Sequence, residues 1–418
     1  MTEEQKTIFV YDDFSFEKPI LIGQLYVGLV KGGETYSFEY DKKWLNKTAL
    51  KHQIDPELLP YPGRQYPNSK NNFGVFADAS PDRWGRVLMN KRERIIANKD
   101  NRKPKKLYDS DYLLGVYDET RMGGLRFKLD QNGSFLSGDK DTATPPWTTL
   151  RTLEEASRNF EKDENGLTEK WLNQLIRPGS SLGGARPKAT VVDTKNQLWI
   201  AKFPSKNDEN DTGAWEMVAH DLATLCGLNV PEAKLEKFST LGSTFLVKRF
   251  DREGKKRIHF ASAMTLLGKT DGASAEDGTS YMDIANFIKS NGANPKEDLI
   301  ELWKRILFNM AITNTDDHLR NHAFILSTKG WTLSPLYDVN PVPYGDELSL
   351  NVDELDCRID INLAISVAPR FGITKPDAEQ YANGIISTVR NNWTKIASQY
   401  GLTRGQIEDM RPAFFACY

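Results

Sequence analysis

The sequence predicts an α+β fold, with a β-rich N-terminal part and a mostly helical C-terminal part. Two patterns indicate this class. Residues 7–41 alternate apolar residues with turn signals such as Gly32-Gly33, which is typical of short antiparallel strands. Later in the chain, the segment ELWKRILFNMAIT carries its apolar residues on one helical face, as an amphipathic helix requires. The residues of that face are Trp303, Ile306, Leu307, Met310 and Ala311.

Composition indicates an ordinary globular protein. The chain has 418 residues, of which 27% are charged and 39% hydrophobic, and this length suffices for two or three domains. A formal net charge of -2 argues against a protein that binds nucleic acid through its overall charge. The three cysteines, Cys226, Cys357 and Cys417, form no C-x-x-C, which argues against disulfides and a cysteine zinc site. No signal peptide or membrane-length apolar run is visible, so we expect a cytoplasmic protein without membrane association.

The first helix is predicted at SPDRWGRVLMNKRERIIANK. Ser80 suits the N-cap, Pro81 the first helical position and Asp82 the first turn. The following GGLRF is predicted to be a short strand, and the polar residues 131–146 an exposed loop or linker.

A second helix is predicted to open with a capping box formed by Thr152 and Glu155. The chain then continues with GSSLGGARPKATVVDTKNQLWIAKFPS. It predicts a glycine-rich loop, a strand at 189–192, a turn at 193–196 and a strand through Phe203. Further strands include STFLVKRFD, and HAFIL with WTLSPL is predicted to form a hairpin.

The glycine loop at Gly179–Lys188 could receive a phosphate, because glycines let backbone N–H groups approach closely and a lysine supplies charge. It is not a Walker A loop, since Ala185 stands where the lysine of that motif must be. Taken alone, the loop is better explained as a tight turn.

Lys202 lies on the face of its strand shared with Leu198 and Ile200. An inward lysine needs an anionic partner, because an unpaired buried charge is costly. Glu216, on the predicted helix GAWEMVAHDLATLCGL, could be that partner. The alternatives are an edge-strand lysine that reaches solvent and a solvated helix glutamate.

The stretch NTDDHLRNHAFI is the most polar constellation of the chain. Asp316 and Asn321 have the spacing D-x-x-x-x-N, which is also that of a protein-kinase catalytic loop. Asp338 follows the predicted hairpin, where a second magnesium-binding residue belongs. Asp317, His318 and His322 could instead form a metal-hydrolase site, although a strand at His322 argues against the helical spacing that such a site needs. A plain polar loop is the remaining alternative.

The order of these elements is more specific than any one of them. Along the chain come a glycine loop, a strand lysine, a helix glutamate, D-x-x-x-x-N, a hairpin and an aspartate. These are the parts of a phosphoryl-transfer site, in the chain order of a protein kinase.

These residues resemble the HipA family of bacterial serine/threonine kinases, known chiefly as toxins of toxin–antitoxin pairs. The motifs that carry the resemblance are SPDRWGR, SLGGARPKA, IAKFPS, FLVKRFDR, NTDDHLRN and LSPLYDV, and they span nearly the whole chain. The resemblance implies a two-lobed, protein-kinase-like fold. It places an N-terminal subdomain at residues 1–130, a nucleotide-binding lobe at 147–252 and a mainly helical catalytic lobe at 253–418.

The resemblance also implies a role for individual residues. Asp316 would be the catalytic base, and Asn321 and Asp338 would hold Mg²⁺. Ser181, or the neighbouring Ser180, would be autophosphorylated, which ejects the glycine loop and inactivates the enzyme. The positions that would contact ATP are Gly183, Gly184, Ala185, Arg186, Pro187, Lys188, Lys202, Lys248, Arg249, Phe250, His318, Leu319, Arg320 and Tyr337. The best-known members carry glutamine where Arg186-Pro187 follow here, which bears on the conformation of the loop.

The partners implied by the resemblance are a protein substrate, in known cases an aminoacyl-tRNA synthetase, and a helix-turn-helix antitoxin of the HipB type. DNA would be bound indirectly, through that antitoxin. The rival function is a non-catalytic HipA-fold co-repressor that acts with the antitoxin on operator DNA. The intact set of Lys202, Asp316, Asn321 and Asp338 argues for the kinase.

Overall fold

The structure, a computed structural model, describes residues 5–47, 53–68, 71–136, 144–162, 175, 184 and 186–418. The chain divides into two compact units. Unit 1 comprises residues 1–206 and 248–261, and unit 2 comprises residues 207–247 and 262–418. The predicted α+β class is confirmed, whereas the predicted boundaries at residues 130, 147 and 252 stay predictions.

The first half of the described chain is rich in strands. Its elements are β1 (Gln5–Asp12), β2 (Ile20–Val30), β3 (Gly33–Tyr40), α1 (Lys42–Lys47), β4 (Arg64–Gln65), α2 (Gly74–Asp78), α3 (Arg83–Lys99), α4 (Asp109–Gly115), β5 (Leu125–Lys128), α5 (Leu150–Lys162), β6 (Lys188–Val192) and β7 (Leu198–Lys202).

The second half is mostly helical. Its elements are α6 (Thr212–Leu225), β8 (Ala233–Glu236), β9 (Thr244–Lys248), β10 (Arg252–Glu253), β11 (Lys256–Arg257), β12 (His259–Ser262), α7 (Ala263–Leu266), α8 (Tyr281–Asn291), α9 (Pro295–Ala311), β13 (Ala323–Ser327), β14 (Gly330–Leu333), α10 (Ile361–Val367), α11 (Lys375–Gln399) and α12 (Arg404–Met410). Short 3-10 helices cover Asp118–Thr120, Trp147–Thr149, Ala275–Asp277, Ala368–Phe371 and Arg411–Cys417.

An antiparallel sheet in the order β4-β3-β2-β1-β5 begins unit 1. The turn between β2 and β3 contains Gly32 at φ 110°, a conformation that glycine adopts without steric cost. One face of the sheet buries a cluster that includes Phe38, Phe76 and Phe127. The predicted N-terminal strands and the GGLRF strand are thereby confirmed.

Two predicted helix starts are wrong. Asp82, and not Ser80, caps α3: its carboxylate accepts a hydrogen bond from the Gly85 N–H at 2.9 Å. Pro81 therefore lies outside the helix, and the Ser80 hydroxyl instead donates to the Phe76 carbonyl at 2.8 Å. An aspartate satisfies orphan N–H groups at a helix start as well as serine does, and the prediction did not consider Asp82 for this role.

The expected capping box at Thr152 and Glu155 does not form. Helix α5 begins earlier, at Leu150, directly after the 3-10 turn Trp147–Thr149. Of the predicted loop at residues 131–146, residues 131–136 and 144–145 have neither helix nor strand, Pro146 makes an isolated bridge to Val192, and 137–143 lie outside the described residues.

β6 and β7 form the predicted hairpin in unit 1. Its turn holds Asn196 at φ 59°, and the Asp193 carboxylate accepts the Lys195 and Gln197 N–H groups at 2.8 Å. The register sets Lys188 directly opposite Lys202, and both side chains are buried.

Helix α9 forms the centre of unit 2. The apolar face predicted for it is confirmed, because all five of its residues are fully buried. The Trp303 indole donates to the Ala364 carbonyl at 2.8 Å, and the buried Arg305 guanidinium donates to the Ser334 carbonyl at 2.8 Å. The helix leads directly into the predicted catalytic loop, and the β13–β14 hairpin follows that loop as predicted.

All three cysteines carry free thiols. None of the helices in the described ranges combines the length and the apolar character needed to cross a bilayer.

Candidate active site

The loop between α9 and β13 is held at its start by the helix. The Asn314 N–H donates to the Asn309 carbonyl at 2.8 Å, and the Asn314 side-chain amide donates to the Asn309 side-chain oxygen at 3.0 Å. Thr313, between them, has φ 50°, a left-handed conformation that branched residues rarely adopt. The loop therefore leaves the helix through a tight and strained turn.

Asp316 and Asn321 meet inside this loop. The Asn321 side-chain N–H donates to the Asp316 carbonyl at 2.9 Å, and the backbone N–H groups of His318 and Asn321 close two further turns. Asn321 is buried, yet its Oδ1 has no hydrogen-bond partner among the residues that the structure describes. A buried amide oxygen without a donor suits a hard cation, so this residue fits the predicted magnesium site.

The carboxyl groups of Asp316 and Asp338 lie close enough to influence each other. Asp316 is exposed, but partial enclosure of its carboxyl group raises its pKa; Asp338 and Asp317 raise it further, and His318 opposes them. Asp338 is half-buried and holds a left-handed backbone at φ 58°, which aspartate tolerates better than most residues. Asp316 thus lies near both Asn321 and Asp338, and the catalytic and metal-binding roles of these three residues stay predictions.

Asp317 has a different role from its neighbour. Its Oδ2 accepts hydrogen bonds from the Tyr281 hydroxyl at 2.6 Å and the Asn309 side-chain N–H at 2.7 Å, and the His322 Nε2 lies 2.8 Å away. Burial alone would raise the pKa of Asp317, but His322 and the Tyr281 hydroxyl outweigh it and hold that pKa below its usual value.

This buried cluster bears on the metal-hydrolase alternative and on the adjacent aspartates 316 and 317. Asp317 and His322 bind each other, so they are committed to supporting the loop instead of forming a metal-hydrolase site. No group of three or more histidine, cysteine, aspartate or glutamate side chains in the described ranges is arranged to hold a metal ion. Sequence reasoning missed the anchoring role of Asp317, and the doubled aspartate was its only signal.

The remaining predicted nucleotide contacts of unit 2 surround the loop. The Tyr337 hydroxyl donates to the Arg320 carbonyl at 2.7 Å, and the Arg320 guanidinium lies 3.7 Å from Asp271. Leu319 is buried, and its carbonyl accepts the Met264 N–H at 3.3 Å. These contacts hold the loop in place, and their roles towards a nucleotide stay predictions.

The glycine loop belongs to unit 1 and is only partly described. Ser180, Ser181, Gly183 and Ala185 lie outside the described residues. Gly184 has φ 82°, the Pro187 carbonyl accepts the Phe203 N–H at 2.8 Å, and the Arg186 guanidinium reaches the Phe203 carbonyl at 3.4 Å. The end of the loop is thus joined to the β6–β7 hairpin.

Lys202 is buried, with 6% of its surface exposed, which rules against an edge lysine that reaches solvent. Glu216, on α6 of unit 2, is also buried. A solvated helix glutamate is therefore wrong for that residue. The ion pair between Lys202 and Glu216 stays a prediction.

The predicted hinge, Lys248 to Phe250, is anchored through Arg249. Its fully buried guanidinium donates to both oxygens of Asp251, at 2.8 and 2.6 Å, and to the Thr120 carbonyl at 2.6 Å. The Arg249 N–H donates to the Leu198 carbonyl at 2.9 Å. The side chain of Arg249 therefore supports the hinge from within unit 1, a role that the sequence pattern did not reveal.

Comparison with known proteins identifies the relatives of the chain. A protein of Sinorhizobium fredii named "Putative kinase Y4mE" is 31% identical over 191 residues, 40% of this chain and 43% of that protein. A Haemophilus influenzae protein named "Putative kinase" is 30% identical over 187 residues, 40% of this chain and 54% of that protein. The chain thus spans about half the length of the curated relatives that it matches.

The fold has a solved counterpart in the toxin–antitoxin complex of Shewanella oneidensis MR-1 HipA, HipB and operator DNA. The match covers 98% of this chain and 95% of the solved chain, with a TM-score of 0.68 and 15% identity. The family model of the HipA-like C-terminal domain matches residues 180–393, which include the glycine loop except Gly179, the catalytic loop and Asp338. The chain therefore belongs to the HipA family.

Proposed function

We propose that the protein is an ATP-dependent protein serine/threonine kinase of the HipA type. The observation that carries the proposal is the arrangement in unit 2: an exposed Asp316 bound through its carbonyl to Asn321, with the Asp338 carboxyl group close enough to act on its pKa. The two relatives named as kinases support the same reaction class.

In the proposed reaction, a protein hydroxyl oxygen forms a bond to the γ-phosphorus of ATP while the bond from that phosphorus to the β–γ bridging oxygen breaks. ADP leaves, and Asp316 takes the hydroxyl proton. A raised pKa makes the Asp316 carboxylate a better proton acceptor than an ordinary aspartate. Its exposure lets an acceptor side chain reach it.

Asn321 and Asp338 are the residues proposed to hold Mg²⁺, with the buried Asn321 Oδ1 and the Asp338 carboxylate as oxygen ligands. A magnesium ion supplies neutralisation of phosphate charge during transfer. Lys202, on β7, is proposed to contact the phosphates, and the Lys248–Phe250 hinge to meet adenine through backbone groups.

Incubation with Mg-ATP followed by intact-mass measurement tests the proposal without a known substrate. The wild-type chain should gain the mass of one or more phosphates, and Asp316→Asn should not. Asp409→Asn, at an exposed position on α12, is the matched control and should behave as the wild type does. A wild-type chain that binds no ATP, or an Asp316→Asn variant of full activity, would remove the kinase proposal.

Peptide mapping of the phosphorylated chain tests the proposed autophosphorylation, which should fall on Ser181 or Ser180. The proposed partners are a helix-turn-helix antitoxin of the HipB type, DNA reached through it, and a protein substrate such as an aminoacyl-tRNA synthetase. The HipA–HipB–DNA complex supports the first two. A chain that gains no phosphate but still forms an antitoxin complex on DNA would be the non-catalytic co-repressor instead.

A further inference from the structure

A buried ion pair joins the SPDRWGR motif to the end of the glycine loop. The Lys188 Nζ lies 3.1 Å from the Asp82 Oδ2, and the two side chains are only 3% and 2% exposed. The other oxygen, Asp82 Oδ1, caps α3 through the Gly85 N–H. Because anions are favoured at helix N-termini, Asp82 is well placed to hold a cation at this point of unit 1.

The position of Lys188 makes that anion necessary. Lys188 and Lys202 face each other across the β6–β7 hairpin, and residues directly opposite in an antiparallel pair have neighbouring side chains on one face. Two like charges in this arrangement repel each other. Asp82 neutralises Lys188 and so reduces this repulsion.

Lys188 also reaches back into the loop. Its Nζ lies 3.5 Å from the Gly184 carbonyl, and a Cβ added to Gly184 would come within 3.3 Å of that nitrogen. Gly184 has φ 82°, so glycine is required on conformational grounds as well. Asp82, Lys188 and Gly184 thus form one connected anchor between α3 and the loop.

We infer that the Asp82–Lys188 pair is a positioning device for nucleotide binding: it fixes the end of the glycine loop, and Lys188 acts through that loop and not as a phosphate ligand. This inference rests on the proposed function and assigns a role to SPDRWGR. A loop whose end is fixed before the ligand arrives loses less conformational entropy there on binding, so the anchor strengthens ATP affinity.

The two possible roles of Lys188 predict different mutant patterns. If Lys188 contacted phosphates itself, Lys188→Met would weaken ATP binding and Asp82→Asn would not. If the pair is an anchor, both variants should weaken binding by a similar factor, roughly 10- to 100-fold for one charged hydrogen bond. The double variant Asp82→Asn/Lys188→Met should then be no weaker than either single variant. Asparagine keeps the helix cap, so Asp82→Asn isolates the loss of charge.

The experiment measures the affinity for a non-hydrolysable ATP analogue with Mg²⁺ by calorimetry, and the rate of self-phosphorylation at saturating ATP by intact mass. We expect affinity to fall far more than the rate. The double variant removes both charges of this pair together, so it remains informative if a single variant does not fold.

Asp55→Asn is the matched control, since Asp55 is a buried aspartate of unit 1 that accepts the Val75 N–H at the start of α2. It should lower thermal stability without changing affinity. Loss of affinity in Lys188→Met alone, wild-type affinity in all three variants, or an equal loss in Asp55→Asn would overturn the inference. A wild-type chain that binds no analogue would instead reject the proposed function, so the two failures are distinct.

Discussion

Replacing Asp317 with asparagine should destabilise unit 2, whereas the same change at the adjacent Asp316 should not. Asp317 and His322 are essentially fully buried, and the Asp317 Oδ2 has three partners at 2.6–2.8 Å. Asp316 is exposed, and Asp338 and Asp317 repel its carboxylate. The same substitution at these two neighbouring residues should therefore affect stability at Asp317 and the proposed reaction at Asp316.

The magnitude follows from the partners of Asp317. A hydrogen bond to a charged group contributes about 1.5–3 kcal/mol, and asparagine keeps an acceptor oxygen but loses the charge. Buried donors that lose their charged acceptor add about 1–3 kcal/mol, and no discount for solvent is due at this burial. We therefore expect Asp317→Asn to lower the free energy of unfolding by about 3–5 kcal/mol, a large share of the 5–15 kcal/mol typical of a domain.

Urea unfolding at neutral pH, followed by circular dichroism, measures this difference. Asp316→Asn should unfold within about 0.5 kcal/mol of the wild type, as expected for an exposed position, while losing phosphoryl transfer. Equal stability of Asp317→Asn and the wild type would refute the assignment of Asp317 as the anchor of the loop. An equal loss in both variants would refute the division of roles between the two aspartates.

Three further predictions concern other buried polar groups. Burial raises the pKa of Asp298 to about 6, so the folded state loses stability as pH rises from about 4 through 6. Asp298→Asn can still accept the Leu333 N–H and should be up to about 3 kcal/mol more stable than the wild type at pH 8, but not at pH 4. An equal difference in urea midpoint between variant and wild type at both pH values would contradict this. Asn321→Ala should raise the Mg²⁺ concentration needed for half-maximal self-phosphorylation while costing only about 1 kcal/mol of stability for one lost hydrogen bond, and an unchanged Mg²⁺ requirement would exclude it as a ligand. Arg249→Met removes one of the two guanidinium groups that bind the fully buried Asp251, while Arg252 remains. It should lower the free energy of unfolding by about 1.5–3 kcal/mol in urea titrations, so wild-type stability would show that the hinge anchor is dispensable.

Local sequence patterns correctly predicted the elements that depend on residues close together in the chain. The α9 face could be read because its apolar residues recur with the helical period, and α9 buries all of them. The β6–β7 and β13–β14 hairpins could be read because turn residues separate two apolar runs. The start of α3 was predicted wrongly, because serine and aspartate are both good caps and the residue that caps this helix is Asp82, not Ser80.

The spacing of Asp316 and Asn321, followed by Asp338, was visible in the sequence by itself, because the catalytic loop and the hairpin after it are short and continuous. The sequence therefore determined the family, the α+β class and the candidate base and metal ligands. The sequence also showed that Lys202 lies on a strand whose other residues are mostly apolar.

Only the tertiary structure decided the partners of the buried charges. Asp317 meets Tyr281 and His322, Arg249 meets Asp251 and segment 118–121, and Lys188 meets Asp82 from a helix far earlier in the chain. A buried charge must find a partner, but the sequence does not say which one, because residues distant along the chain become neighbours only when the core packs. Folding thus made one of two adjacent aspartates a structural anchor and left the other exposed as the proposed base.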